Sequence, residues 1–151
     1  GGTATGKDNV VAATALAVGD LRTMTNDQTD RVENKMRAIV QQHLPRTTAT
    51  ITFEDSYPAM AISPAGQQLF HDWSQASEAL GLGPVQLAGP MTRGAGDISF
   101  AAPYVPGLVG VGILGEGYHA EGETALLDSL PKQAKRSALL MERLVRQTAK
   151  P

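Results

Sequence analysis

Cysteine is absent from this chain, so it has no disulfides and no thiolate zinc site, and any metal it holds must be bound by histidine and carboxylate. Long apolar runs are missing too. None approaches the roughly 20 residues a membrane-spanning helix needs, and no signal-like apolar segment follows the opening Gly-Gly-Thr-Ala. Nor does charge of one sign dominate: the formal net charge is -2, and basic residues are scattered except for a C-terminal run, which argues against a nucleic-acid footprint. The opening without methionine reads as an excised or processed piece. The lack of cysteine does not tell cytoplasm from periplasm.

What is present suits a soluble globular chain. Hydrophobic residues make up 42% and charged residues 19% of 151, enough for one domain with a core or for parts of two. Residues 9–22, "NVVAATALAVGDLR", run β-branched and small apolar without a helical stripe and predict a long strand. In "DQTDRVENKMRAIVQQHL", Val32, Met36, Ile39 and Val40 recur at helical spacing behind Asp27 and Asp30, which predicts an amphipathic helix with an acidic start. "TTATITFED" follows as a second strand, making strand-helix-strand.

Pro58 and Pro64 punctuate a linker. From Pro64 to about Leu80 a helix is expected, with Leu69, Phe70, Trp73, Ala76 and Leu80 on one stripe and Gly81 and Gly83 ending it. A short strand around "VQLAG" and a short helix capped by Asp97 come next. "PGLVGVGIL" reads as a buried strand. Residues 123–148 are expected to be helical with a joint at Pro131, Glu123 opening the helix at the dipole's positive end.

The stretch "GVGILGEGYHAEGE", residues 110–123, carries Gly-x-Gly-x-x-Gly at Gly110, Gly112 and Gly115. A dinucleotide site needs the third glycine to open a helix and an acidic residue about 20 positions on. Here "EGYHAEGE" follows Gly115, and Lys135 and Arg136 stand where the acid belongs, so the nucleotide reading fails. The glycines instead thin a packed strand or admit a close backbone. His119 sits at the carboxyl end of that strand, where open α/β sheets place ligands, and neutral imidazole suits zinc. Read locally, a lone histidine in a glycine loop is a capping or solvent-facing residue, and Glu116 and Glu121 are solvated loop charges. His43 and His71 read as structural or surface residues.

In its order of parts, "GAGDISFAAPYVPGLVGVGILGEGYHAEGETALLDSLPKQAKRSALLMERL" resembles the C-terminal end of the co-catalytic zinc peptidases of the glutamate carboxypeptidase and aminoacylase family. There a Gly-Gly-x-(Thr/Ser)-Asp turn precedes a helix, a strand, a Gly-rich loop with a metal-binding histidine and a glutamate. Arg93 to Asp97, His119 and Glu123 match those parts, and "GGTATGKDNVVAATALAVGDLR" is similar to the later strands of the family's lid and dimerisation domain. The resemblance implies His119 as a ligand of one of two zinc ions, Asn9 and Arg22 as holders of the substrate carboxylate, and Gly94 and Asp97 as walls of the substrate pocket. An arginine fork binds a carboxylate bidentately and an asparagine amide adds a neutral donor.

Two positions depart from the pattern: Ala12 stands where proline is usual, and Gly96 where Thr or Ser is. The family's His-x-Asp, its bridging aspartate, its Glu-Glu pair and a further acidic ligand have no counterpart here, so no catalytic residue is assigned to this chain.

The implied fold is α/β: residues 1–60 as part of a ferredoxin-like (α+β) lid, residues 61–151 as the C-terminal part of a three-layer α/β/α zinc-peptidase domain. The implied function is that of the C-terminal portion of a dinuclear zinc hydrolase acting on a small peptide or N-acyl amino acid, the chain being inactive alone. The alternative is a non-catalytic dimerisation fragment. Open sheet edges predict a homo-oligomer; neither nucleic acid nor membrane is expected as a partner.

Overall fold

The computed structural model describes residues 2–5, 12–89 and 96–149. They form a mixed α/β chain in two compact units, Gly1–Ile51 and Thr52–Pro151.

In the first unit, β1 (Gly2–Thr5) pairs antiparallel with β2 (Thr14–Ala17), Gly2 opposite Ala17 and Thr5 opposite Thr14. The expected strand over residues 9–22 therefore shrinks, among its described residues, to the four of β2. Helix α1 (Asn26–Val40) follows. Its N-cap is Thr25, whose hydroxyl accepts the Gln28 amide at 3.2 Å, while the Gln28 side chain reaches back to the Met24 amide at 2.9 Å. Two orphan donors are thereby satisfied reciprocally, in the manner of a capping box. A partly exposed Glu33–Arg37 pair at i,i+4 adds about 0.3–0.5 kcal/mol. None of α1 is buried.

Strand-helix-strand is not formed. Residues 47–55 carry no strand; an apolar run becomes a strand only through a regular ladder. The strands expected at "VQLAG" and "PGLVGVGIL" are likewise not formed. Residues 106–114 are not a buried strand: Val109, Ile113 and Leu114 are exposed.

The second unit is organised by α2 (Pro64–Ala79) and α4 (Ser129–Thr148), which pack on each other. Ser63 caps α2 by accepting the Gly66 amide at 3.0 Å, with Pro64 in the first helical position, where its missing donor costs nothing. At the other end Gly81 adopts φ +72°. The Gly81 amide then reaches the Glu78 carbonyl at 2.9 Å and the Leu82 amide the Ser77 carbonyl at 3.0 Å, a Schellman closure. Helix α3 (Ile98–Ala101) is a single turn. A second two-stranded sheet, β3 (Gly115–Glu116) with β4 (Thr124–Ala125), precedes α4.

Helix α4 starts later than expected and has no joint. Pro131 lies in its first turn, where an amide would lack an intrahelical acceptor anyway, so the helix runs through it. Glu123 does not open it.

The α2–α4 seam holds the described apolar core, Trp73, Ala76 and Leu140; burying a side chain the size of Leu contributes about 1.5–3 kcal/mol. Beside it runs a polar chain. Arg136 Nε donates to Ser77 Oγ at 2.9 Å, Ser77 Oγ donates to the Gly83 carbonyl at 2.5 Å, Arg136 Nη1 donates to Gln133 Oε1 at 2.7 Å, and Gln133 Nε2 donates to the Gly112 carbonyl at 2.9 Å. Ser129 Oγ accepts the Leu114 amide at 2.9 Å and donates to the Leu126 carbonyl at 2.7 Å. The start of α4 is thus pinned to the segment entering β3, and the loop between β3 and β4 is built on that anchor.

Candidate functional site

The loop from 117 to 123 is closed by local hydrogen bonds. The Gly115 and Glu116 backbone faces Ala125 and Thr124, and a Cβ on Gly115 would collide with the Thr124 carbonyl oxygen, so glycine is required there by close approach. Gly115 lies in a hairpin and opens no helix, in line with the failed nucleotide fingerprint. The Tyr118 hydroxyl accepts the Gly115 amide at 2.9 Å, the Ala120 amide donates to the Gly117 carbonyl at 3.0 Å, and the Leu126 amide donates to the Leu114 carbonyl at 2.7 Å.

His119 sits at the tip in the left-handed region, φ 63°. Arg46, in the bend after α1, is the other described non-glycine residue with positive φ. Such a conformation costs about 1–3 kcal/mol and persists where its surroundings enforce it. Around it the Ala120 amide donates to the Gly117 carbonyl, the Glu123 amide to the Ala120 carbonyl, and the His119 amide to the Glu123 carboxylate at 3.3 Å. No described residue makes a hydrogen bond or ion pair with the His119 ring, and the residue is exposed. The loop therefore displays an imidazole at the tip of a hydrogen-bonded turn.

Among the described residues no three His, Asp or Glu side chains converge so as to hold a metal ion. These residues do not by themselves fit a zinc centre; they offer one imidazole.

Asp97 occupies the N-cap position of α3, but its side chain makes no cap hydrogen bond, and its own backbone is already helical. Its carboxylate instead accepts the Tyr57 hydroxyl at 3.0 Å. The hydrogen bond to Asp97 and the negative charge of Asp97, with a lesser contribution from desolvation, raise the Tyr57 phenol above its ordinary pKa of 10.0. The Tyr57 ring also rests against Phe100, centroids 5.3 Å apart and tilted by 51°. Tyr57 is absent from the sequence expectations because nothing local marks a partner 40 residues away.

Arg22, in the first unit, pairs through Nε with Asp20 at 2.7 Å, and both side chains are largely exposed, 79% and 68%. A pair this wet contributes about 0–1 kcal/mol and engages only one edge of the guanidinium. Asn9 and Gly94 lie outside the described residues. His43 Nδ1 lies 3.2 Å from the Leu44 carbonyl oxygen and His71 Nε2 lies 2.9 Å from Gln75 Nε2, both at exposed positions. No helix among the described residues is long and apolar enough to cross a membrane.

No family model, no curated protein and no solved structure matches this chain.

Proposed function

We propose that this chain is the C-terminal portion of a dinuclear zinc hydrolase of the glutamate carboxypeptidase type, which cleaves an amide bond next to a free carboxylate in a small peptide or N-acyl amino acid. The observation that carries the reading is His119: a non-glycine residue in the left-handed region, its amide donating to Glu123 and its ring exposed and unengaged by the described residues. An imidazole displayed in that way, at the tip of a glycine loop, suits a ligand role in a site completed by groups from elsewhere. Zinc, when bound, would supply Lewis-acid activation of water. This chain's own contributions are the His119 imidazole and, at the substrate end, the Arg22 guanidinium, with Asn9, Gly94 and Asp97 as further substrate contacts. Arg22 must exchange Asp20 for a substrate carboxylate, a small cost for an exposed pair.

A second reading, a non-catalytic association module, is favoured by one observation. Among the described residues 21 large hydrophobic side chains are exposed while three apolar residues are buried, a balance that suits a surface meant to be covered.

The test is to read the gene upstream of Gly1 and assay the protein it encodes on acyl-glutamate and dipeptide substrates with and without zinc. A His-x-Asp and a Glu-Glu motif with zinc-dependent hydrolysis support the hydrolase. A frame without them, encoding a protein that turns over neither substrate, removes it and leaves the association module.

A further inference from the structure

We infer that Ser129 and Gln133, one turn apart on α4, are positioning residues for His119, because they hold the hairpin that carries its imidazole. The inference rests on the reading of His119 as the functional side chain of the loop. Both positioning side chains are polar and buried, 3% and 6% exposed, and their i,i+4 spacing sets them on one face of the helix. A buried polar side chain costs free energy unless its groups are hydrogen-bonded. These two spend theirs on the backbone around the hairpin.

Gln133 Nε2 donates to the Gly112 carbonyl at 2.9 Å, on the segment leading into β3. Ser129 Oγ accepts the Leu114 amide at 2.9 Å and donates to the Leu126 carbonyl at 2.7 Å. Leu114 is the residue before β3 and Leu126 the residue after β4, so one buried oxygen ties both legs of the hairpin. The Leu126 amide, donating to the Leu114 carbonyl at 2.7 Å, closes the ring.

The hairpin needs that support. β3 and β4 have two residues each, and a two-stranded hairpin alone is marginally stable at best in water. Beyond the ladder, the Gly115 amide donates to the Tyr118 hydroxyl at 2.9 Å and the His119 amide to the Glu123 carboxylate at 3.3 Å, both within the loop itself. Among the described residues, Ser129 and Gln133 supply the side-chain hydrogen bonds that join the hairpin and its entry to a helix. A misplacement of about 1 Å can cost a hundredfold in rate. Loss of the clamp therefore acts on kcat, while groups outside the loop still hold the substrate.

Two measurements test this. In this chain, amide hydrogen exchange in Ser129→Ala should be faster than in wild type at Leu114 and Leu126 and also at His119. In the protein encoded by the full reading frame, Ser129→Ala should lower kcat on acyl-glutamate about ten- to a hundredfold with KM unchanged, and Ser129→Thr, which keeps the hydroxyl, should recover most of it. Gln133→Glu keeps an acceptor for Arg136 but loses the donor to Gly112, and should act in the same direction as Ser129→Ala in both measurements. Ser63→Ala removes the cap of α2 in the same unit and should lower thermal stability while leaving kcat unchanged, in assays run below the unfolding of every variant. Unaltered exchange of the His119 amide in both Ser129→Ala and Gln133→Glu overturns the inference, as does a kcat that Ser63→Ala lowers as much as Ser129→Ala does. If His119→Ala itself leaves kcat unchanged, the underlying reading falls and the inference with it. If His119→Ala lowers kcat and neither α4 variant does, the reading stands and the inference alone falls.

Discussion

Ser77→Ala removes a single oxygen at a fully buried position, and with it two hydrogen bonds of the α2–α4 seam. The bond from Ser77 to the Gly83 carbonyl is neutral and contributes about 1 kcal/mol, and the bond received from Arg136 is charge-assisted, about 1.5–3 kcal/mol when fully desolvated. Arg136 is only half-buried, so water recovers part of its loss, and the sum comes to about 2–3 kcal/mol. For a unit of this size that is a fall in Tm of roughly 10–20 °C. Alanine creates almost no cavity, so the effect isolates the polar chain from packing. Trp73, the sole tryptophan, lies one turn away on the same helix, and its fluorescence in urea unfolding reads the second unit directly. Arg136→Met keeps the aliphatic stem and removes the fork; the double variant should show a coupling of about 1 kcal/mol. A loss below about 0.5 kcal/mol for Ser77→Ala, or additive single variants, would refute the seam as a connected polar network.

Phenolate absorbance should show Tyr57 titrating above the ordinary range, and Asp97→Asn should bring it back toward 10.0. Because the folded value is the raised one, the associated stability is complete below pH 10.0 and disappears as pH rises through the folded value; an unchanged titration in Asp97→Asn would dismiss the contact. Ser99 is buried with no partner for its hydroxyl among the described residues, so Ser99→Ala should be neutral or stabilising by up to about 1 kcal/mol, and a clear loss in thermal unfolding would reveal an unseen partner. Gly115→Ala should open the hairpin at a cost of about 1–3 kcal/mol, read as faster exchange of the Leu126 amide, which is bonded to the Leu114 carbonyl; unchanged protection there would mean the close approach to Thr124 is relieved cheaply.

The helices were legible because their signals are local. A 3.6-residue stripe, Pro64 at the first helical position of α2 and Gly81 just past its end need no knowledge of the rest of the chain. The strands were not, since an apolar run becomes a strand only when another backbone pairs with it in a regular ladder, and residues 47–55, 85–89 and 106–114 are not strand. Pro131 reads as a joint in the sequence because spacing does not say where a first turn begins. At the site, the glycines allow either a thinned packed strand or a close backbone approach, and Gly115 takes the second, against Thr124; His119 stands out by its glycine surroundings. The Tyr57–Asp97 and Ser77–Arg136 contacts join residues 40 and 59 positions apart, and no spacing rule reaches that far. Glu123 was assigned to the helix dipole, whereas its carboxylate serves the His119 amide.

Zinc content most directly tests whether His119 is a metal ligand. In the protein encoded by the full reading frame around this chain, metal analysis of wild type and His119→Ala should give two zinc ions falling to one, with hydrolysis of acyl-glutamate reduced by orders of magnitude, since loss of a ligand removes both charge stabilisation and geometry. Two zinc ions retained in His119→Ala, with near wild-type turnover, would contradict the account.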